Sequence, residues 1–255
     1  MQNNKQVNCF SWCRQCVGAL ILVSSVQPVW AINANWLNGS GLYSDAGNWN
    51  VPAVPCNADG STFDVMITAN SGTVTDDVED CEVDTFSLGQ ITVFSVEPEN
   101  NYTVLGEADI TGTISVLGGE FSVSGLADIS GFISGSGGDF TASNASFTGK
   151  GAQASASNGS GVLIGAPTYS SVGLVGSATL FSAANTGSLL DLSSLQTLDA
   201  GFNDGSGLVR VHSVTVSDDA TVDLSGLIHT IAPVRDEDRL DILVDGTGVM
   251  DVSSL

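Results

Sequence analysis

The stretch Ala108-Asp109-Ile110-Thr111-Gly112-Thr113-Ile114-Ser115 is answered by Ala127-Asp128-Ile129-Ser130-Gly131-Phe132-Ile133-Ser134, at an offset of 19 in the numbering. Gly118-Gly119-Glu120-Phe121 keeps the same step to Gly137-Gly138-Asp139-Phe140, and a looser third copy, Ala145-Ser146-Phe147-Thr148-Gly149, begins 18 after Ala127. Apolar and polar residues alternate within each copy, the period of a half-buried strand. A unit of this size holds two or three short strands and their bends, and is too short for a helical repeat pair of about 33 residues or more. It matches one coil of a β-solenoid, in which coils stack about 4.8 Å apart and equivalent side chains form ladders along the axis. Ile110, Ile114, Ile129 and Ile133 are therefore expected to face the core in register. Thr111, Thr113 and Ser130 are expected to point outward or line turns.

The pattern extends both ways. Upstream, Val65-Met66-Ile67, Val74, Val83, Phe86, Val93 and Tyr102-Thr103-Val104-Leu105 come in bursts separated by Asp, Asn, Gly and Pro. Downstream the repeat blurs through residues 151–161 (GAQASASNGSG), which read as a loop or irregular coil. A second repeat then follows: Leu190-Asp191-Leu192-Ser193-Ser194-Leu195, Val222-Asp223-Leu224-Ser225-Gly226-Leu227 and Met250-Asp251-Val252-Ser253-Ser254-Leu255, at offsets of 32 and 28 in the numbering. These steps suit longer coils with an inserted turn. The last unit runs to the chain end, so the solenoid over 63–255 is expected to be truncated there or covered by a partner. The 30 Gly and the scarcity of Lys fit many brief strands joined by tight turns rather than helices.

Residues 1–31 read as a signal peptide: Lys5 and Arg14, an apolar run from Cys16 to Val26, then Val29-Trp30-Ala31 before a cut. The run is too short to span a membrane, and no later stretch has spanning length, so no membrane insertion of the mature chain is expected. Beyond Ala31 only Lys150, Arg210, Arg235 and Arg239 face 28 acidic residues, a formal charge of −24. That balance excludes a nucleic-acid partner, which needs clustered cations. Cys13-Arg-Gln-Cys16 falls in the leader. Cys56 and Cys81 remain as a disulfide candidate in an oxidising compartment, with free buried thiols the alternative. Between them and the leader, residues 32–62 form an aromatic, turn-rich segment in which Trp36 and Trp49 read as cap residues over the open solenoid end.

The segment from Trp36 through Asn48-Trp49 and Pro55 into Val65-Met66-Ile67 and Val74, with the Gly-rich strands and Asp-Leu-Ser-Ser-Leu units that follow, resembles the β-helical repeat regions of large bacterial exported proteins of the autotransporter-passenger and surface-adhesin type. The resemblance implies an all-β, right-handed parallel β-helix with an N-terminal aromatic cap segment, and adhesive or matrix roles.

Several strings imitate chemistry. Gly118-Gly119-Glu120-Phe121 spells the diguanylate cyclase signature, but here it follows an export leader and recurs as Gly137-Gly138-Asp139-Phe140, which reads as a turn entering a strand. Asp218-Asp219, His229 and Arg235 have residue types used by pectin-cleaving β-helix hydrolases, yet the Asn-Thr-Asp and Gly-His-Gly segments of those enzymes are absent. His212 and His229 read as surface or core fillers. Asp76, Asp77, Glu79 and Asp80 in one loop and Asp236, Glu237 and Asp238 in another are calcium candidates, since hard cations take several carboxylate oxygens. Neither has EF-hand or β-roll spacing, and a solvated acidic face accounts for them more simply. No catalytic residue and no cofactor other than calcium is expected. The expected function is a secreted, extracellular or cell-surface structural or adhesive protein without catalytic activity, its partners extracellular polysaccharide or surface proteins. The alternative is a polysaccharide-active enzyme or carbohydrate-binding module on the same scaffold, which requires carboxylates and a basic residue converging in a groove.

Overall fold

The computed structural model describes residues 30–58, 60–68, 72–201 and 208–255; the expected signal peptide lies outside them but for residues 30 and 31, as do Cys9, Cys13 and Cys16. Among the described residues the chain winds through three sheets of nine, nine and eight strands. It visits them in turn, then returns to the first sheet beside the strand it left. Ala108–Ile110, Thr113–Val116 and Glu120–Val123 make one coil, and Ala127–Ile129, Phe132–Ser136 and Asp139–Ala142 make the next. The strands within the sheets pair in parallel, giving a parallel β-helix.

The ladders follow from alternation. Ile110 pairs with Ile129 and Ile114 with Ile133, and all four are fully buried. In the third sheet Cys81, Tyr102, Phe121 and Phe140 stand in one inward column. The rings of Tyr102, Phe121 and Phe140 stack nearly parallel, with centroids 5.4 and 5.7 Å apart, because the rung spacing brings like rings into offset contact. Phe86 and Phe94 meet this stack edge-on from the other two sheets. Corners between sheets demand glycine where successive coils nearly touch: a Cβ at Gly131 would lie 1.9 Å from the Gly112 carbonyl oxygen.

Residues 151–161 are not an irregular coil. Gln153–Ser157 is a strand paired with Phe132–Ser136. Its inward residues are Ala154 and Ala156, which lack the branched side chains that mark a strand. Their small volume is matched by Phe181, the partner of Ala154 on the following coil.

Later coils lengthen while the strands stay paired, with one register shift between Thr179 and Phe181 where Ala178–Ala184 meets Val211–Val216. Asp191, Asp223 and Asp251 are partners on successive rungs, so the second repeat family is one structural position. In each copy the Asp Oδ1 accepts the backbone N–H two residues on, at 2.9, 2.8 and 2.9 Å. The turn is closed by Leu195 N–H to Leu192 C=O, Leu227 to Leu224, and Leu255 to Val252. Asp thus caps the turn and the flanking leucines anchor it. Leu192, Leu195, Leu224 and Leu227 are buried.

At the N-terminal end, Ile32–Asn35 and Gly41–Leu42 supply the first rungs of two sheets. The first third-sheet strand is Asp80–Val83, and Asn57 N–H bonds the carbonyl of Glu82 along its outer edge. The Cys56–Cys81 disulfide fastens that segment. Trp36, Trp49 and Tyr43 are buried and pack edge to face, and the Trp49 indole N–H bonds the Tyr43 carbonyl at 3.0 Å. No helix among the described residues is long and apolar enough to cross a membrane.

Candidate functional site

Inward positions are filled by apolar side chains with few exceptions, Asp76 and His212 among them, so chemistry available to a partner stands on the outward positions of the three sheets. The second sheet carries the most regular set. Thr75, Ser95, Ser115, Ser134, Ser155, Ser182 and Thr215 are partners on seven successive rungs. At about 4.8 Å per rung the column runs for about 29 Å. Ser155 donates to Ser134 at 3.2 Å, and Ser95 donates to Glu97 at 3.3 Å.

Beside this column, where the first sheet turns into the second, lies an open groove of about 380 Å³. Gln90, Thr111, Thr113, Phe132, Lys150 and Gln153 contribute to its walls. Thr113, Phe132 and Gln153 are rung partners, so one wall is itself a ladder. Among the described residues no carboxylate lines this groove.

A second groove of similar size crosses the outer face of the first sheet, lined by Ser87, Glu107, Asp109, Leu126 and Asp128 among others. Asp109 and Asp128 are direct rung partners. Burial, and then the neighbouring Asp128 charge, raise the Asp109 carboxyl above its ordinary value. Carboxylates thus converge here, but among the described residues no basic side chain lines the groove.

The first acidic cluster is dispersed. Asp77 accepts the backbone N–H and the hydroxyl of Ser44, at 2.9 and 2.6 Å. Asp80 faces outward on the third sheet and accepts Asn101 Nδ2 at 2.9 Å, while Glu79 is exposed. Asp76 points inward on the rung whose next partner is Val96, and is fully buried. Its Oδ1 accepts Val78 N–H at 3.3 Å, and its Oδ2 has no partner among the described residues. Burial is the main cause lifting this carboxyl to about 7; the Val78 N–H opposes the rise and the Asp77 charge adds to it. Close by, Tyr43 donates to the Pro55 carbonyl at 2.7 Å, its hydroxyl 3.0 Å from that of Tyr102. Desolvation raises both phenols well above their usual value.

In the second acidic cluster Glu237 pairs with Arg235, Asp241 with Arg239 at 2.9 Å, and Asp238 accepts Arg210 N–H at 2.7 Å; Asp236 is exposed. Among the described residues no three His, Cys, Asp or Glu side chains form a group that could hold a metal ion. Asp218 and Asp219 occupy a turn with φ of 53° and 59°, and His229 opens a first-sheet strand. His212 is buried on an inward position, and desolvation holds its imidazole below the ordinary value. Gly118, at φ 134°, turns the chain into Glu120–Val123, so the cyclase-like string is a corner.

The Ser/Thr column does not stand out in the sequence. Its signal is a polar hydroxyl flanked by inward residues in Phe94-Ser95-Val96, Ile114-Ser115-Val116, Ala154-Ser155-Ala156 and Val214-Thr215-Val216, but unequal coil lengths hide the alignment. Against this geometry, no protein-family model, no curated protein and no solved structure matches the chain.

Proposed function

We propose that the chain is a secreted or cell-surface β-solenoid with a structural and adhesive role, comparable to the passenger and adhesin rods of bacterial exported proteins, and without catalytic activity. The observation that carries this reading is the seven-rung hydroxyl column on the second sheet. A stiff face that presents a part-exposed hydroxyl on six of these seven rungs, Ser95 being buried against Glu97, offers many weak, similar contacts to a polymer such as extracellular polysaccharide, or to a surface protein. The leader pattern, the acidic composition and the Cys56–Cys81 bridge support export.

The second reading, a polysaccharide-active enzyme, is favoured by the Glu107, Asp109 and Asp128 groove, where one carboxyl is raised beside another. One experiment separates the two. The full chain is immobilised and exposed to a panel of soluble polysaccharides, and both retention and new reducing ends are measured. The adhesive reading expects retention with no reducing ends above the buffer control. Release of reducing ends that is abolished by Asp128→Asn would replace it with the enzymatic one.

A further inference from the structure

We infer that the corner groove at Lys150 is a binding site for an acidic polysaccharide, one whose sugars carry carboxylate or sulfate groups, with the Lys150 ammonium contacting the anionic group. This rests on the reading of the rod as a polysaccharide-facing surface and names the class of polymer.

The groove is a chemical exception on this molecule. Downstream of the leader there are four basic residues against 28 acidic ones. Arg235 and Arg239 are paired with Glu237 and Asp241, and Arg210 lies near Asp238 at the far end of the rod. Lys150 is exposed, and among the described residues no carboxylate lies within ion-pair reach of it. The lining is otherwise neutral, so the groove is a local break in a negative surface.

The remaining lining suits sugars. Thr111, Thr113, Gln90 and Gln153 offer donors and acceptors in both senses, as polyol hydroxyls require. Phe132 is half-buried at an outward position and presents apolar surface on which the C–H face of a sugar ring can rest. The walls draw on four successive coils, from Gln90 through Thr111 and Phe132 to Lys150. At about 4.8 Å per coil that is a run of about 14 Å, the scale of a chain segment rather than one small molecule.

Charge narrows the class further. The rod repels polyanions at long range, which disfavours nucleic acid and other densely charged polymers. Within a Debye length, about 8 Å at physiological salt, the nearest charge dominates, and in the groove that charge is a compact ammonium. An acid group on an otherwise hydroxylated chain satisfies both conditions.

The test is affinity electrophoresis of the full chain at about 0.15 M ionic strength in gels containing sparsely de-esterified pectin, sparsely sulfated dextran or neutral dextran. The proposal expects retardation by at least one acidic polymer and little by dextran, weakening as salt is raised. Lys150→Gln should lose at least tenfold in affinity, and Lys150→Arg should stay within about threefold, with thermal unfolding unchanged in both. The pectin against the sulfated dextran tells carboxylate from sulfate. The site is overturned if neither acidic polymer retards the protein, if dextran retards it equally, or if Lys150→Gln binds as well as the parent. Polysaccharide retention that ignores Lys150 would leave the adhesive rod standing and remove this site. New reducing ends would remove the adhesive reading and leave the groove to be judged by Lys150.

Discussion

Two stretches of the same rod reach one geometry by different chemistry. Between Phe63 and Ile164 the coils are short: Thr113 pairs with Phe132 and Phe140 with Val162, steps of 19 and 22 in the numbering. Between Thr168 and Leu255 they are long: Tyr169 pairs with Leu198 and Thr197 with His229, steps of 29 and 32. The sheets nevertheless continue through both. The early coils close with glycine corners and fill the core with stacked rings. The later coils close with Asp-capped leucine turns and carry their extra residues outside the rungs. The rung is therefore the constant physical unit and the corner is free to vary, because lengthening a loop costs little once its ends are fixed.

The largest expected effect lies in the early region. Phe121 is fully buried between Tyr102 and Phe140, so Phe121→Ala opens a cavity in the middle of the ring stack. A loss of about 4 kcal/mol in urea unfolding is expected. Leu224→Ala in the later region should cost about 3 kcal/mol by the same mechanism; a cost equal to or above that of Phe121→Ala would erase the contrast between the stretches.

Next comes the cap. Cys56 and Cys81 are 25 residues apart, and replacing both by serine frees that loop in the unfolded chain, a loss of about 3 kcal/mol. Thermal unfolding with and without reductant gives a second measure, and the double variant should be insensitive to reductant.

Asp76 sharpens the comparison from within the core. Its carboxyl titrates near 7 in the fold, against an ordinary value of 3.8, so the folded chain holds the proton more tightly than the unfolded one. Its contribution is therefore fully present below about pH 4 and is lost as pH rises through 7. Asp76→Val continues the column of Val96 and Val116 and removes that loss. The variant should exceed the parent by about 4 kcal/mol at pH 8, with the gap closing towards pH 4. His212 acts in the opposite sense, its depressed imidazole costing stability as pH falls below about 6.5. It is present in both proteins and cancels in the difference. A gap independent of pH would show that Asp76 is not the titrating group.

The smallest effect belongs to the later turns. Asp223→Ala removes the acceptor for Ser225 N–H, and about 1 kcal/mol is expected. Asp251→Ala, on the last described rung, should cost less, because its acceptor and its turn are exposed.

Much of this is legible in the sequence. The repeat step from Ala108-Asp109-Ile110 to Ala127-Asp128-Ile129 is the rung register, the Asp-Leu-Ser-Ser-Leu units are one stacked turn, and Cys56 and Cys81 meet. Other features escape for physical reasons. Ala154 and Ala156 carry no strand propensity of their own; Ala154 is held between Ile133 and Phe181 on adjoining coils, and Ala156 between Gly135 and Ala183. Asp76 reads as one more acid in a polar loop, because alternation assigns it inward only once the strand Thr73–Asp76 is placed. The hydroxyl column and the Lys150 groove join residues from coils of unequal length, so no fixed spacing reveals them.

The account stands on rungs that rise by one strand spacing per coil whatever the length of chain between them. Thr75 and Thr215 are distant in sequence yet only six rungs apart in the second sheet. Spin labels at Thr75→Cys and Thr215→Cys, with Cys9, Cys13 and Cys16 replaced by serine, should give a narrow dipolar distance distribution at about 29 Å. Labels at Thr75→Cys and Ser155→Cys, four rungs apart, should fall at about 19 Å. A broad distribution, or two distances that do not scale as six rungs to four, would contradict the stacked coil.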